Sequence, residues 1–267
     1  MTLSHRPSTV GQRFVRDSEK MNKLVCAVLA TFLIIAGLSP AVFAQVHSPQ
    51  SLLCSGQTYN NITCKKMSPL FYGRGCGKTA SNVIPVTAGD RIVVWADTNR
   101  RGTITSVTDQ TGNTYVLLGN LTNARWGPNN SLTDAAWTAI AKKTSTLNIT
   151  VNCNGSGGEY ELAAIALSSS VGTVRIDCTS TWTAVTQATS VSSACTAVKS
   201  NDLAFSMVDW YNTQPKPGSA WQELSDKGSE WVFELRKLSS ADAVTGKWTN
   251  FPDDMISGTM SFSDGKQ

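Results

Sequence analysis

Carboxylates and tryptophans are the side chains in this sequence with chemistry to offer. Glu159 and Glu161 alternate along one face of a candidate strand, as do Glu230 and Glu234. Two acids on a concave sheet are the machinery of glycoside hydrolysis, one as acid and one as nucleophile or base. The E-x-D-x-x-E signature of one large group of sandwich glycosidases is missing, and Glu159-Tyr-Glu161 does not supply it. Outward-facing or sheet-end carboxylates are the simpler reading. Histidine occurs only twice, as His5 and His47. That excludes a Ser–His–Asp or Cys–His site and a multi-histidine metal site within the body of the chain. No G-x-S-x-G nucleophile elbow occurs.

All eight tryptophans fall after residue 44. Flat aromatic faces bury large areas and also stack on sugar rings. Trp95, Trp137 and Trp231 lie in strand-like segments and read as core. Trp210, Tyr211 and Trp221 bracket a long polar loop, while Trp126 and Trp182 lie in polar surroundings. Ligand stacking competes there with packing under a loop. Asp209, Asn212 and Gln214 stand nearby as hydrogen-bonding groups for hydroxyls. A Ca²⁺ site at Asp253 and Asp254 would use hard oxygen ligands, but no EF-hand spacing exists, and an acidic turn explains the pair. No metal or cofactor is therefore expected. Gly73–Thr79 resembles a phosphate loop but is one residue short, with Tyr72 where the first glycine belongs. Asn61, Asn120, Asn129, Asn148 and Asn154 occupy N-x-[ST] sequons, which matter only in a glycosylating host.

The elements that would position these groups begin after residue 44. Met21-Asn-Lys23 is a basic start, Leu24–Leu38 an apolar run, and Val42-Phe43-Ala44 a small-x-small cleavage signal. Residues 1–44 thus read as a misplaced start plus a signal peptide, with Gln45 as mature N-terminus. The run is short for a bilayer, and Pro40 interrupts its end. Removing five of the 23 basic and two of the 19 acidic residues with this segment leaves 18 against 17. A near-neutral chain gives no support for nucleic-acid binding.

Six cysteines remain beyond the signal: Cys54, Cys64, Cys76, Cys153, Cys178 and Cys195. An even count in an exported chain argues for disulfides, and six allow about fifteen pairings. Cys178 and Cys195 are expected to pair, because each flanks a strand and the loop between them is rich in Ser and Thr. One N-terminal cysteine is then left to meet Cys153. No C-x-x-C spacing suggests zinc.

Strand grammar is densest in Asp90–Gly119. Ile92, Val94 and Ala96 face one way and Val93 and Trp95 the other, so this strand is covered on both sides. Thr103–Thr108 suits a pleated surface, but Ile104 and Val107 fall out of period 2, which predicts a bulge or edge. Asp109–Asn113 is turn chemistry, with Gly112 free to take positive φ. A hairpin with Asn113–Gly119 follows from it. Pro85 marks Asn82–Thr87 as an edge strand. Ala135–Ala141 and Leu147–Cys153 read as a second hairpin about Lys142–Thr146, although Ser131–Lys143 also fits a capped helix. Glu159–Ser168 is apolar on both faces. Leu203, Phe205 and Met207 alternate inward, and strand patterns continue through Trp231–Arg236, Val244–Trp248 and Ile256–Phe262.

About a dozen short strands predict an all-β fold, a two-sheet antiparallel β-sandwich of jelly-roll or Ig-like type. Residues 45–81 form its disulfide-tied irregular lead-in and residues 82–267 its body. Gly89-Asp90-Arg-Ile92-Val-Val94, then Asp109-Gln-Thr-Gly112-Asn113-Thr-Tyr115, then Thr144–Val151, resembles a module of secreted bacterial surface proteins. The resemblance covers most of residues 82–262 and implies a fold rather than an activity. The function expected is a non-catalytic exported module at the cell surface or outside the cell, binding a glycan or other polymer or serving in adhesion. A glycosidase or polysaccharide lyase using the paired glutamates is one alternative. A structural protein assembling through its sheet edges is another.

Overall fold

The computed structural model describes residues 54–75, 77–98, 102–123, 132–155, 159–197, 202–210, 214–224, 231–238 and 243–265. These contain strands and no helix. In chain order the strands are β1 (Gln57–Tyr59), β2 (Ile62–Met67), β3 (Phe71–Arg74), β4 (Thr79–Val86), β5 (Arg91–Thr98), β6 (Thr103–Asp109), β7 (Val116–Asn123), β8 (Leu132–Ile140) and β9 (Ser145–Asn154). There follow β10 (Glu159–Ser169), β11 (Arg175–Thr179), β12 (Thr183–Thr196), β13 (Leu203–Trp210), β14 (Lys216–Pro217), β15 (Gln222–Glu223), β16 (Trp231–Lys237) and β17 (Ala243–Ser263). All pairings are antiparallel.

The strands form three sheets. A central sheet runs β1-β2-β10-β5-β8-β7, with β3 also on β10. A second runs β11-β17-β13-β16-β15, with β12 and β14 also on β17. A third is the small sheet β4-β9-β6. The apolar pattern of β5 dictates the stacking. Val93 and Trp95, with Ala163, Ile165 and Leu167 of β10, pack against Phe205, Met207, Phe233, Met260 and Phe262 of the second sheet. Ile92, Val94 and Ala96, with Leu162 and Ala164, pack against Ile84, Leu147, Ile149 and Val151 of the small sheet. A strand with two oily faces needs a cover on each, and both are present. The expected all-β antiparallel packing is therefore met twice over, once on each face of the central sheet.

The cysteine-bearing segment contributes β1–β3 to the central sheet and is closed by Cys54–Cys64. Cys178–Cys195 ties β11 to β12. Cys153 is also disulfide-bonded; Cys76 lies outside the described residues. The edge position of the Pro85 strand holds, since β4 pairs with β9 alone. The bulge in β6 falls between Ile104 and Ser106 and lets both Ile104 and Val107 face inward. Ser131–Lys143 yields a strand, β8, and no helix.

Both expected hairpins are corrected. The turn at Asp109–Asn113 forms, but β6 lies in the small sheet and β7 in the central one; β8 and β9 are likewise split. These short connections step from layer to layer, because the chain must cover the central sheet from outside. Asp109 makes the first step rigid. Its Oδ1 accepts from Thr111 N (2.7 Å) and Thr111 Oγ1 (2.7 Å), and its Oδ2 from Asn113 Nδ2 (2.8 Å) and Tyr115 Oη (2.8 Å). Gly112 supplies φ 71°. Lys142 N donates to Asn113 Oδ1 (2.8 Å), joining this step to the one between β8 and β9.

Burial alone would raise the Asp109 pKa, but hydrogen bonds from Thr111, Tyr115 and Asn113 outweigh it and hold the carboxyl below its usual 3.8. Burial, then the Asp109 charge, pushes the Tyr115 phenol well above its usual 10.0. The depressed acid stabilises the fold above pH 3.8, and that contribution is lost as pH falls through its folded pKa. The raised phenol stabilises below pH 10, and its share is lost as pH climbs through its own folded value. Asp109→Ala strips a charged acceptor from several donors and should cost about 2–3 kcal/mol at pH 7 in urea unfolding. Asp109→Asn should flatten the acid limb of the stability profile below about pH 4, and an unchanged limb would assign that limb to other carboxylates.

At one end of the second sheet, β17 and β12 bend and fold over the outer face of β13. Register shifts between Val185 and Ala188 and between Ala188 and Ser190 mark the corner, with Gln187 at φ 47°. Val191 and Trp248 then cover Val208, Trp210 and Met255. Hydroxyls fill the tightest part: Ser193 Oγ lies 2.7 Å from Thr259 Oγ1 and 3.0 Å from Ser257 Oγ, and Trp248 Nε1 donates to Ser206 Oγ (3.1 Å).

Candidate functional site

Four core strands carry an acid where the inward alternation reaches the end of the oily layer. In β5 the inward series Val93, Trp95 continues to Asp97. In β13 the series Phe205, Met207 continues to Asp209. In β8 and β10, Asp134 and Glu161 stand directly across from Asp97, one strand to each side, just as Ala136 and Ala163 flank Trp95. Antiparallel register thus gathers Asp97, Asp134 and Glu161 on the central sheet, and the facing sheet adds Asp209.

One carboxylate oxygen from each of Asp97, Asp134 and Asp209 lies within 4.8 Å of the other two. The residues are 4, 0 and 2 % exposed. Glu161 N donates to Asp97 Oδ1 (2.7 Å), fixing that side chain. Neither oxygen of Asp134 accepts a hydrogen bond from a backbone N–H, an amide or a hydroxyl. Burial first, and then the charge of Asp97, push the Asp134 carboxyl well above the ordinary carboxylate range, with Asp209 acting in the opposite direction. Three buried acids this close cannot all stay ionised unaided. Shared protons, donor groups or a bound cation must offset the charge.

Other groups singled out in the sequence fall elsewhere. Trp210 is 8 % exposed and packs with Val208, Trp248 and Met255, so it is a core anchor and not an open stacking face. It follows Asp209 in the strand and therefore points to the opposite side of the sheet. Trp182 is buried between the two large sheets. Trp221 is half-buried beside Ala204 and Val244, with Nε1 donating to Thr245 O (3.1 Å). Trp126, Tyr211, Asn212 and Glu230 lie outside the described residues, as do the side chains of Glu159 and Glu234. Glu161 is 5 % exposed, which removes it from any solvent-facing acid pair.

No family model matches the chain, and no curated protein or solved structure matches it either. The site therefore rests on its own geometry. Asp253 and Asp254 hold the corner of β17: Asp253 is buried, its Oδ1 accepts from Asp254 N (2.8 Å), and Asp254 Oδ1 accepts from Gln187 N (2.8 Å). They are not among the three clustered acids, and the bend explains them. Among the described residues no helix is long and apolar enough to cross a membrane.

The sequence reading named Asp209 and Glu161 but not Asp97 or Asp134. The signal was present in the phase of each strand, since an aspartate at the next inward position after two core residues breaks the apolar series. That Asp209 meets the other two depends on which sheet faces which, and strand periodicity does not encode that.

Proposed function

We propose that this chain is an exported, non-catalytic β-sandwich module that binds a glycan or another surface polymer, or serves in adhesion. The observation that carries the reading is the burial of Asp97, Asp134, Glu161 and Asp209. Acids withdrawn from solvent are not displayed to a polysaccharide, and histidine is nearly absent. The disulfides Cys54–Cys64 and Cys178–Cys195 are compatible with an oxidising, extracellular setting. With Trp210 and Trp182 in the core, the described tryptophan left for ligand contact is Trp221.

A glycan array and a cell-wall pulldown test the reading. Retention should fall about five-fold or more in Trp221→Ala, in line with the roughly 1 kcal/mol or more carried by an aromatic contact, while the variant stays folded at the assay temperature with the far-ultraviolet spectrum of wild type. No retention on any polymer, or retention untouched in Trp221→Ala, counts against polymer binding. Release of reducing sugar that disappears in Glu161→Gln would favour a glycosidase instead.

One observation favours assembly as a second reading. β7 is an edge of the central sheet, and Val116 and Leu117 on it are exposed. Exposed apolar edges are templates for strand pairing. Concentration-dependent association in sedimentation, abolished by Val116→Lys, would support it; a monomer at every concentration would remove it.

A further inference from the structure

We infer that Asp97, Asp134 and Asp209 form a calcium site that clamps the central sheet to the second sheet. The inference is independent of what the surface binds. Three facts carry it. The donor set is all carboxylate oxygen, which suits a hard cation and not zinc or copper. The oxygens fall within 4.8 Å of one another, close enough for one ion to touch all three, and three protein carboxylates suit calcium better than Mg²⁺, which keeps several waters and takes one or two carboxylates. Independently of the clustering, both oxygens of fully buried Asp134 lack any backbone N–H, amide or hydroxyl donor, and the side chain they meet is another acid, Asp209. A carboxylate buried in a protein interior against only another acid is matched by a positive partner. Such a cation would bridge cross-strand neighbours of one sheet, Asp97 and Asp134, to Asp209 of the other. The three carboxylates would fill part of its coordination shell, and water or backbone carbonyls the remainder.

The test uses the disulfide-intact chain freed of metal with EGTA. Thermal unfolding is followed in EGTA, in 1 mM CaCl₂ and in 1 mM MgCl₂, and Tb³⁺ luminescence excited through tryptophan reports occupancy. Calcium at about ten times its Kd should raise the melting temperature by about 3–6 °C, with Tb³⁺ saturating at one ion per chain and magnesium doing less. Asp134→Asn should lose the calcium response and weaken Tb³⁺ binding at least ten-fold. In EGTA the same variant should melt at or above wild type, because it removes the charge of a fully buried carboxylate that lies against two other acids. That reversal of order between EGTA and calcium separates a cation site from acids that only share protons. No shift and no Tb³⁺ binding in the wild-type chain would overturn the inference, as would a calcium shift that survives in Asp134→Asn. A magnesium shift equal to that of calcium would overturn the assignment to calcium. Should Asp134→Asn fail to fold, Asp209→Asn carries the same comparison, and the wild-type titration decides by itself.

Discussion

Gly258→Ala is expected to cost about 3–5 kcal/mol, a loss normally seen when a buried tryptophan is removed. A Cβ at Gly258, in β17, would stand 2.5 Å from Trp182 Cε2 and 2.8 Å from its Cδ2. Overpacking ordinarily costs about 1–3 kcal/mol because neighbours give way. Here the ring has nowhere to go. Its pyrrole edge lies against Gly119 of β7, where a Cβ would stand 2.2 Å from Trp182 Nε1. One indole thus fills a slot made by two glycines from different sheets, and an added methyl on either wall expels it. Urea unfolding should show the loss, and the melting temperature should fall by roughly 6–20 °C. Gly119→Ala should behave similarly. A smaller side chain at 182 relieves the clash, so Gly258→Ala with Trp182→Leu should cost far less than the two single changes summed. A Gly258→Ala protein with wild-type stability would mean that the slot is wider than the described packing.

That slot also marks where reading the chain as a sequence stops working. Trp182 sits among Thr and Ser, so its local surroundings suggested a ligand face. Its burial comes from openings at Gly119 and Gly258, far away in the chain and unremarkable as glycines. The strands themselves were legible, since period 2 and both-face apolarity identified β5, β9, β10 and β13 and the bulge in β6. The Cys178–Cys195 pairing was legible because both cysteines flank local strands. Partner choice was not. A tight polar turn such as Asp109–Asn113 joins two strands of one sheet or steps between sheets with the same residue types. The acid cluster shares this division. Each aspartate is visible as an inward position gone polar, but their convergence is a property of how the sheets stack.

Trp95→Ala should be the other large loss, about 3–5 kcal/mol, and the comparison with Trp95→Phe says why. Trp95 is fully buried between the central and second sheets, its ring 4.8 Å from Phe233 and 6.2 Å from Phe205 at tilted angles. Phe205 in turn meets Phe262 edge-on at 5.9 Å. Truncation to alanine empties the centre of this aromatic cluster and leaves a cavity bounded by strands that are hydrogen-bonded on both sides and cannot collapse far. Phenylalanine keeps most of the contact, and aromatic pairing of this kind contributes about 0.5–1.5 kcal/mol beyond area. It also deletes the indole N–H, which meets no acceptor. An orphan buried donor costs about 1–3 kcal/mol, so its removal offsets much of the lost volume, and Trp95→Phe should fall within about 1 kcal/mol of wild type in urea unfolding. If both variants lose equally, volume alone is not the cause, and the N–H must be making a stabilising bond. The native protein would then hold an acceptor beside Trp95.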